Sequence, residues 1–93
     1  MDAIRFRSVI RYWNTEKHSG LSVADIPAEH IAALGGLKQQ RVRGRIGAAA
    51  FTSNVMPAGG GRLALSVSKA MQHDAGVAMG DAIEVEITAI GRD

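Results

Sequence analysis

Between two apolar segments the chain carries Met56-Pro57-Ala58-Gly59-Gly60-Gly61-Arg62. Pro57 holds its own φ and three consecutive glycines accept φ of either sign, so the backbone is expected to turn sharply here. The stretch predicts the tip of a β-hairpin. Beyond it, Leu63 to Val67 reads as a strand and Ser68 to Ala75 as a short helix, with Gly76 placed for a left-handed C-terminal cap. Met79-Gly80-Asp81 then turns the chain into a further strand, Ala82 to Ile90, with Ile83, Val85 and Ile87 pointing in and Glu84 and Glu86 pointing out.

The N-terminal half repeats this grammar. Ile4, Phe6, Ile10 and Tyr12 alternate with Arg5, Arg7, Arg11 and Trp13, the period of a strand with one buried face. The polar run Asn14 to Gly20 reads as a hairpin loop and Leu21 to Ile26 as a second strand. Pro27 suits the first position of a helix that Gly35-Gly36 stops after Leu34; at about two turns it must lie as a lid on the strands. Gln40 to Ile46 alternates again, with Val42, Gly44 and Ile46 on one face and Arg41, Arg43 and Arg45 on the other. Gly47-Ala48 is a tight turn or a bulge, and Ala50 to Met56 is a strand leading into the glycine-rich tip.

Setting Ser22–Ile46 against Leu63–Ile87, at a constant offset of 41, lays strand on strand, helix on helix and Gly35 on Gly76. Two strand–helix–strand units of this kind predict an internal pseudo-repeat. Wrapped together they form a mainly β, closed or nearly closed barrel of about six strands, with a helix capping each end and no free sheet edge. The 93 residues suffice for one such domain, 1–93. Only four residues are aromatic, so the core is built from Ile, Val, Leu, Met and Ala, which disfavours a roomy aromatic-lined pocket.

Several functions are disfavoured at once. With no cysteine there is no disulfide, thiolate nucleophile or Cys-ligated zinc. No apolar run reaches the roughly 20 residues of a membrane-spanning helix, and Met1 to Arg5 lacks an apolar signal core, so a cytoplasmic protein without membrane association is expected. His18, His30 and His73 are scattered without metal-ligand spacing, and no cofactor or metal is expected. Ser66-Val67-Ser68-Lys69 matches the string S-x-x-K but lacks its S-D-N and K-T-G companions. No nucleophile, base and orienting group come together, so catalysis is not expected.

Charge placement is the main functional signal. Arg41, Arg43 and Arg45 form a row with roughly 6.5–7 Å per two-residue step, near the spacing of phosphates along a nucleic-acid strand, and Arg5, Arg7 and Arg11 with Trp13 extend it. Against this stands the plainer reading that these arginines pair across the barrel with Glu84 and Glu86. Gly59, Gly60 and Gly61, with Arg62 and Lys69, make a second candidate, an anion- or ligand-binding loop at the barrel mouth. A strand rather than a helix follows these glycines, however, so a plain hairpin turn competes with it.

Ile26-Pro27-Ala28-Glu29, Leu34-Gly35, Val42-Arg43-Gly44, Met56 to Gly61, Leu65-Ser66-Val67-Ser68-Lys69 and Gly80-Asp81 together resemble the bacterial domain of unknown function, family nineteen-oh-five, from about Phe6 to Ile87. The resemblance implies a double-split β-barrel capped by helices, alone or fused to a bacteriocin-protection-type domain. It is related in fold to the DNA-binding barrels of transition-state regulators and antitoxins. It implies no catalytic residues. Three expectations follow: a binding module for nucleic-acid backbone, a protein-interaction module working with such a partner domain, or a small-molecule site or enzyme at the barrel mouth.

Overall fold

A computed structural model describes residues 3–14, 16 and 19–91. The elements in chain order are β1 (Ile4–Asn14), β2 (Ser19–Ile26), a 3-10 turn (Ala28–His30), β3 (Gln40–Ile46), β4 (Ala49–Gly59), β5 (Arg62–Ser66), α1 (Lys69–Ala75) and β6 (Ala82–Gly91). The six strands close into a barrel in the order β1-β2-β5-β4-β3-β6, with every neighbouring pair antiparallel. Period-two alternation does the sorting: Ile4, Phe6 and Ile10 are buried where Arg5, Arg7 and Val9 are exposed, and Ile83, Val85 and Ile87 are buried beside the outward Glu84 and Glu86. Closure leaves no strand edge open.

Two local expectations need correction. The turn at the glycine-rich stretch is narrower than Met56 to Arg62: β4 continues through Pro57, which pairs with Leu63, and only Gly60 and Gly61 lie between the strands. A register shift between Pro57 and Gly59 marks a bulge, the place in a ladder where a residue without an N–H is tolerated. The second correction concerns the segment 27–34, which forms a 3-10 turn and hydrogen-bonded turns instead of an α-helix. Its counterpart α1 shows why. Ser68 caps α1 by accepting from Met71 N at 3.1 Å, whereas Pro27, in the corresponding place, offers no side-chain acceptor. Gly76 closes α1 in the left-handed conformation expected of it, at φ 68°. Of the predicted Asn14–Gly20 loop, Ser19 and Gly20 already belong to β2, while Thr15, Lys17 and His18 lie outside the described residues.

Exchanging β1 with β4, β2 with β5 and β3 with β6 leaves the ring order unchanged, as a two-fold axis across the barrel requires. The correspondence reaches individual atoms. β1 and β4 are both 11 residues long, and their alignment sets Phe6 on Phe51, Ser8 on Ser53 and Ile10 on Val55. Ser8 Oγ donates to the Asp25 carbonyl at 2.7 Å, and Ser53 Oγ donates to the Ser66 carbonyl at 2.6 Å. Asp25 and Ser66 are themselves a pair at the offset of 41.

Because β2 and β5 run antiparallel, the chain leaves them at opposite ends of the barrel. Each end then receives a plug, Leu34 after β2 and Met71 after β5, both buried with the core. Gln40 is the buried polar residue of this core, and its Nε2 donates to the Leu34 carbonyl, satisfying an acceptor at the end of the uncapped turn.

Candidate functional site

The outer face of β3 carries Arg41, Arg43 and Arg45, as the alternation requires. The strand beside it is not β1 but β6, which lies between the two arginine-bearing strands. Register therefore decides what each arginine meets. Arg45 stands opposite Glu86 on β6 and Glu86 stands opposite Arg5 on β1, so a single carboxylate is shared by two guanidinium groups. Arg45 Nη2 donates to Glu86 Oε1 at 2.9 Å and Arg5 Nε donates to Glu86 Oε2 at 2.9 Å. The next pair along β1, Arg7 with Glu84, closes to 2.7 Å. Hydrogen bonds from Arg45 and Arg5 hold the Glu86 carboxyl below the usual carboxylate range.

Arg43 differs. Its cross-strand neighbours are Thr52 on β4 and Thr88 on β6, and no carboxylate among the described residues pairs with it. It is exposed, in an open concavity of about 540 Å³ lined also by Arg45, Phe51, Thr52, Glu86 and Thr88. Gly44 lies in the same wall because β3 and β6 come too close there for a side chain: a Cβ on Gly44 would overlap the Glu86 carbonyl. A guanidinium with free donors, flanked by two hydroxyls and set in a concave surface, has the hydrogen-bonding chemistry that an anionic oxygen group would need.

Arg11 belongs elsewhere. It faces β2, where its Nε and Nη2 grip both oxygens of Asp25 at 2.8 and 2.9 Å and its Nη1 donates to the Tyr12 carbonyl at 3.0 Å. This bond holds the Asp25 carboxyl below its ordinary range, with Arg62 adding to the effect, and raises the Arg11 guanidinium in turn. The predicted row of six arginines is thus divided. Arg5 and Arg45 are joined through Glu86 and Arg7 pairs with Glu84, as the pairing reading expects, Arg11 is taken up by Asp25, Arg41 is half-buried opposite Asn54 on β4, and Arg43 stands apart.

The glycine-rich candidate divides too. Gly59, Gly60 and Gly61 all take positive φ, at 82°, 61° and 75°, and Arg62 folds back so that its Nε lies 3.4 Å from the Gly59 carbonyl. Lys69 begins α1 beyond the other end of β5, so the strand separates it from the loop. Among the histidines, His30 sits 6.1 Å from the Phe6 ring, centroid to centroid, and His18 lies outside the described residues. Among the described residues no group of three or more His, Asp or Glu is arranged to hold a metal ion, and no helix is long and apolar enough to cross a membrane.

Thr52, Thr88 and Asp25 are the site residues that sequence reasoning missed. Alternation marks Thr52 and Thr88 as outward, but only the register across β4, β3 and β6 shows that both flank Arg43. In comparison with known proteins, the family described as Domain of unknown function (DUF1905) matches residues 6–87. No curated protein matches the chain.

Proposed function

The chain belongs to the Domain of unknown function (DUF1905) family, whose description carries no chemistry, and from the site itself we propose that it is a non-catalytic binding module for the phosphate backbone of nucleic acid. Arg43 is the principal contact, Thr52 and Thr88 supply flanking hydroxyls, and Arg41 and Arg45 lie one phosphate step to either side. The observation that carries this reading is that Arg43, alone on a strand face whose neighbours Arg45, Arg5 and Arg7 meet carboxylates, has threonines as its cross-strand partners. Arg45 and Arg5 join only as their bonds to Glu86 yield, and Arg7 only as its bond to Glu84 does.

Binding of this kind is weak and indifferent to base sequence. Two or three neutralised phosphates give a shallow salt dependence, with log K falling against log salt at a slope of about −1 to −3. Arg43→Glu lowers affinity for all sequences alike and flattens that slope; an unchanged affinity removes this face from consideration.

A second reading has its own observation. Trp13 and Leu21 are 38% and 53% exposed and both lie beyond the Tyr12–Ser22 pair, one on each strand of the β1–β2 hairpin, two apolar side chains open to a partner. They suit docking to a protein partner, whether a fused or separately encoded domain or a second copy. Sedimentation of the wild type and Leu21→Ser over a concentration series tests the second copy: self-association lost in Leu21→Ser supports it, and a wild type monomeric throughout excludes it.

A further inference from the structure

In the six-stranded ring β2 and β5 lie across the barrel from β3 and β6, and on that flank there is a second concavity, of about 370 Å³. Its walls are Arg11, Trp13 and Asp25 from β1 and β2, and Ala58 and Arg62 from the β4–β5 hairpin. The volume falls in the lower part of the roughly 300–1,000 Å³ range of small-molecule sites.

The chemistry of the walls is specific. Arg11 is locked, with its Nε and Nη2 on Asp25 and its Nη1 on the Tyr12 carbonyl. Each Asp25 oxygen accepts one bond from Arg11 and retains a lone pair for another donor. Arg62 on the opposite lip is exposed and makes no ion pair among the described residues, only the long contact to the Gly59 carbonyl at 3.4 Å. Trp13 adds a partly exposed indole, and Ala58 keeps the entrance free of a long side chain. Among the described lining residues, two guanidinium groups stand against one carboxylate, one net positive charge. A cationic ligand is therefore repelled. An anion that also presents a flat ring and an N–H donor matches every wall.

We propose that this cleft binds a nucleoside monophosphate, its base against the Trp13 indole, the N–H edge of the base toward Asp25, and its phosphate on Arg62. Guanine fits, because its exocyclic amino group can donate one N–H to the outward lone pair that an Asp25 oxygen has left, whereas the N–H of uracil lies between two carbonyl oxygens that the same carboxylate repels. The free nucleotide and the 5′-phosphorylated end of a strand share this chemistry. The cleft is separate from the Arg43 face, and either assignment can fail without the other.

Trp13 is the only tryptophan, so its indole gives a single side-chain N–H resonance, placed in the wall of this cleft. The labelled protein is titrated with GMP, UMP, ribose 5-phosphate and a short 5′-phosphorylated single strand beginning with G. The expected result is a saturable shift of the indole signal with GMP, weaker binding of UMP and no shift with ribose 5-phosphate. Arg62→Ala, a change on the surface, weakens GMP by about tenfold, the usual loss for a charge-assisted bond. Arg43→Glu leaves GMP binding unchanged. A response to the strand with none to GMP assigns the cleft to strand ends. No saturable shift with either ligand, equal binding of UMP and GMP, or an Arg62→Ala variant that binds GMP as the wild type does would overturn the proposal.

Discussion

Arg45 donates to Glu86 at 2.9 Å, across the β3–β6 pair, and two residues further along the same two strands, on the same face, Arg43 faces Thr88. That single change of partner, from glutamate to threonine, separates a neutralised guanidinium from an available one. Glu86 also engages Arg5, so it acts as a built-in competitor for any phosphate that reaches this face. Replacing it with Gln releases two arginines. Glu86→Gln is expected to raise nucleic-acid affinity about three- to tenfold at low salt and to steepen the salt slope by about one to two. Binding assays at two salt concentrations check this; an affinity no higher than wild type would mean that Arg5 and Arg45 do not reach the ligand.

The Arg11–Asp25 pair predicts a pH dependence with a definite sign. The Asp25 carboxyl titrates below its ordinary value in the folded chain because Arg11 hydrogen-bonds it. Its contribution to stability is therefore complete above the unfolded-state value, about 3.9, and is lost as pH falls through the lower folded value. With the carboxylate 38% exposed, water screens much of the pairing. Asp25→Asn should cost about 1 kcal/mol at pH 7, and the difference from wild type should shrink on acidification below about pH 4. Urea denaturation across pH measures it.

Gly44 predicts a packing failure. A methyl group there meets the Glu86 main-chain carbonyl, which belongs to the β6 ladder and cannot swing aside as a flexible side chain would. Gly44→Ala should destabilise the barrel by about 3 kcal/mol or more, at the upper end of overpacking effects. A variant with a thermal midpoint within a few degrees of wild type would show that β3 and β6 are not this close.

The paired serines test the two-fold relationship. Ser8→Ala and Ser53→Ala each remove one hydrogen bond to a strand carbonyl, at 2.7 and 2.6 Å, on opposite copies of the same motif. Each should cost about 1 kcal/mol, and the double variant about 2, since the two sites share no partner. Strongly unequal losses would show that the two halves match in topology but not in energetics.

Most of the barrel could be read from the chain. The alternations at Ile4–Tyr12, Gln40–Ile46 and Ala82–Ile90 identify three strands and their faces. The offset of 41 anticipates the two-fold order of the ring, and Gly76 ends α1 where a left-handed residue was expected. What failed was local competition. Pro27 and the two glycines look like helix punctuation, yet without a side-chain cap the segment between them settles into 3-10 and turn geometry. Pro57 looks like a strand stop, yet a bulge absorbs it.

The site was less legible than the fold. The outward arginines and glutamates followed from period two, but pairing depends on which strands are neighbours and in what register. Placing β6 between β3 and β1 hands Glu86 to Arg45 and Arg5, and leaves Thr88 to Arg43. The cleft around Trp13 was still further from view, because Asp25 and Arg62 come to line it only through the pairing of β2 with β5, strands of two hairpins distant in sequence.

The central claim, that the Arg43 face holds nucleic-acid phosphates, is tested most directly by an amide NMR titration with a generic DNA duplex. Wild type and Arg43→Glu would be compared at low and then moderate salt. The account predicts wild-type shifts concentrated at residues 41–45 and at Thr52 and Thr88, fading as salt rises and largely abolished in Arg43→Glu. A wild-type spectrum unmoved at low salt, or shifts that persist unchanged in Arg43→Glu, would contradict it.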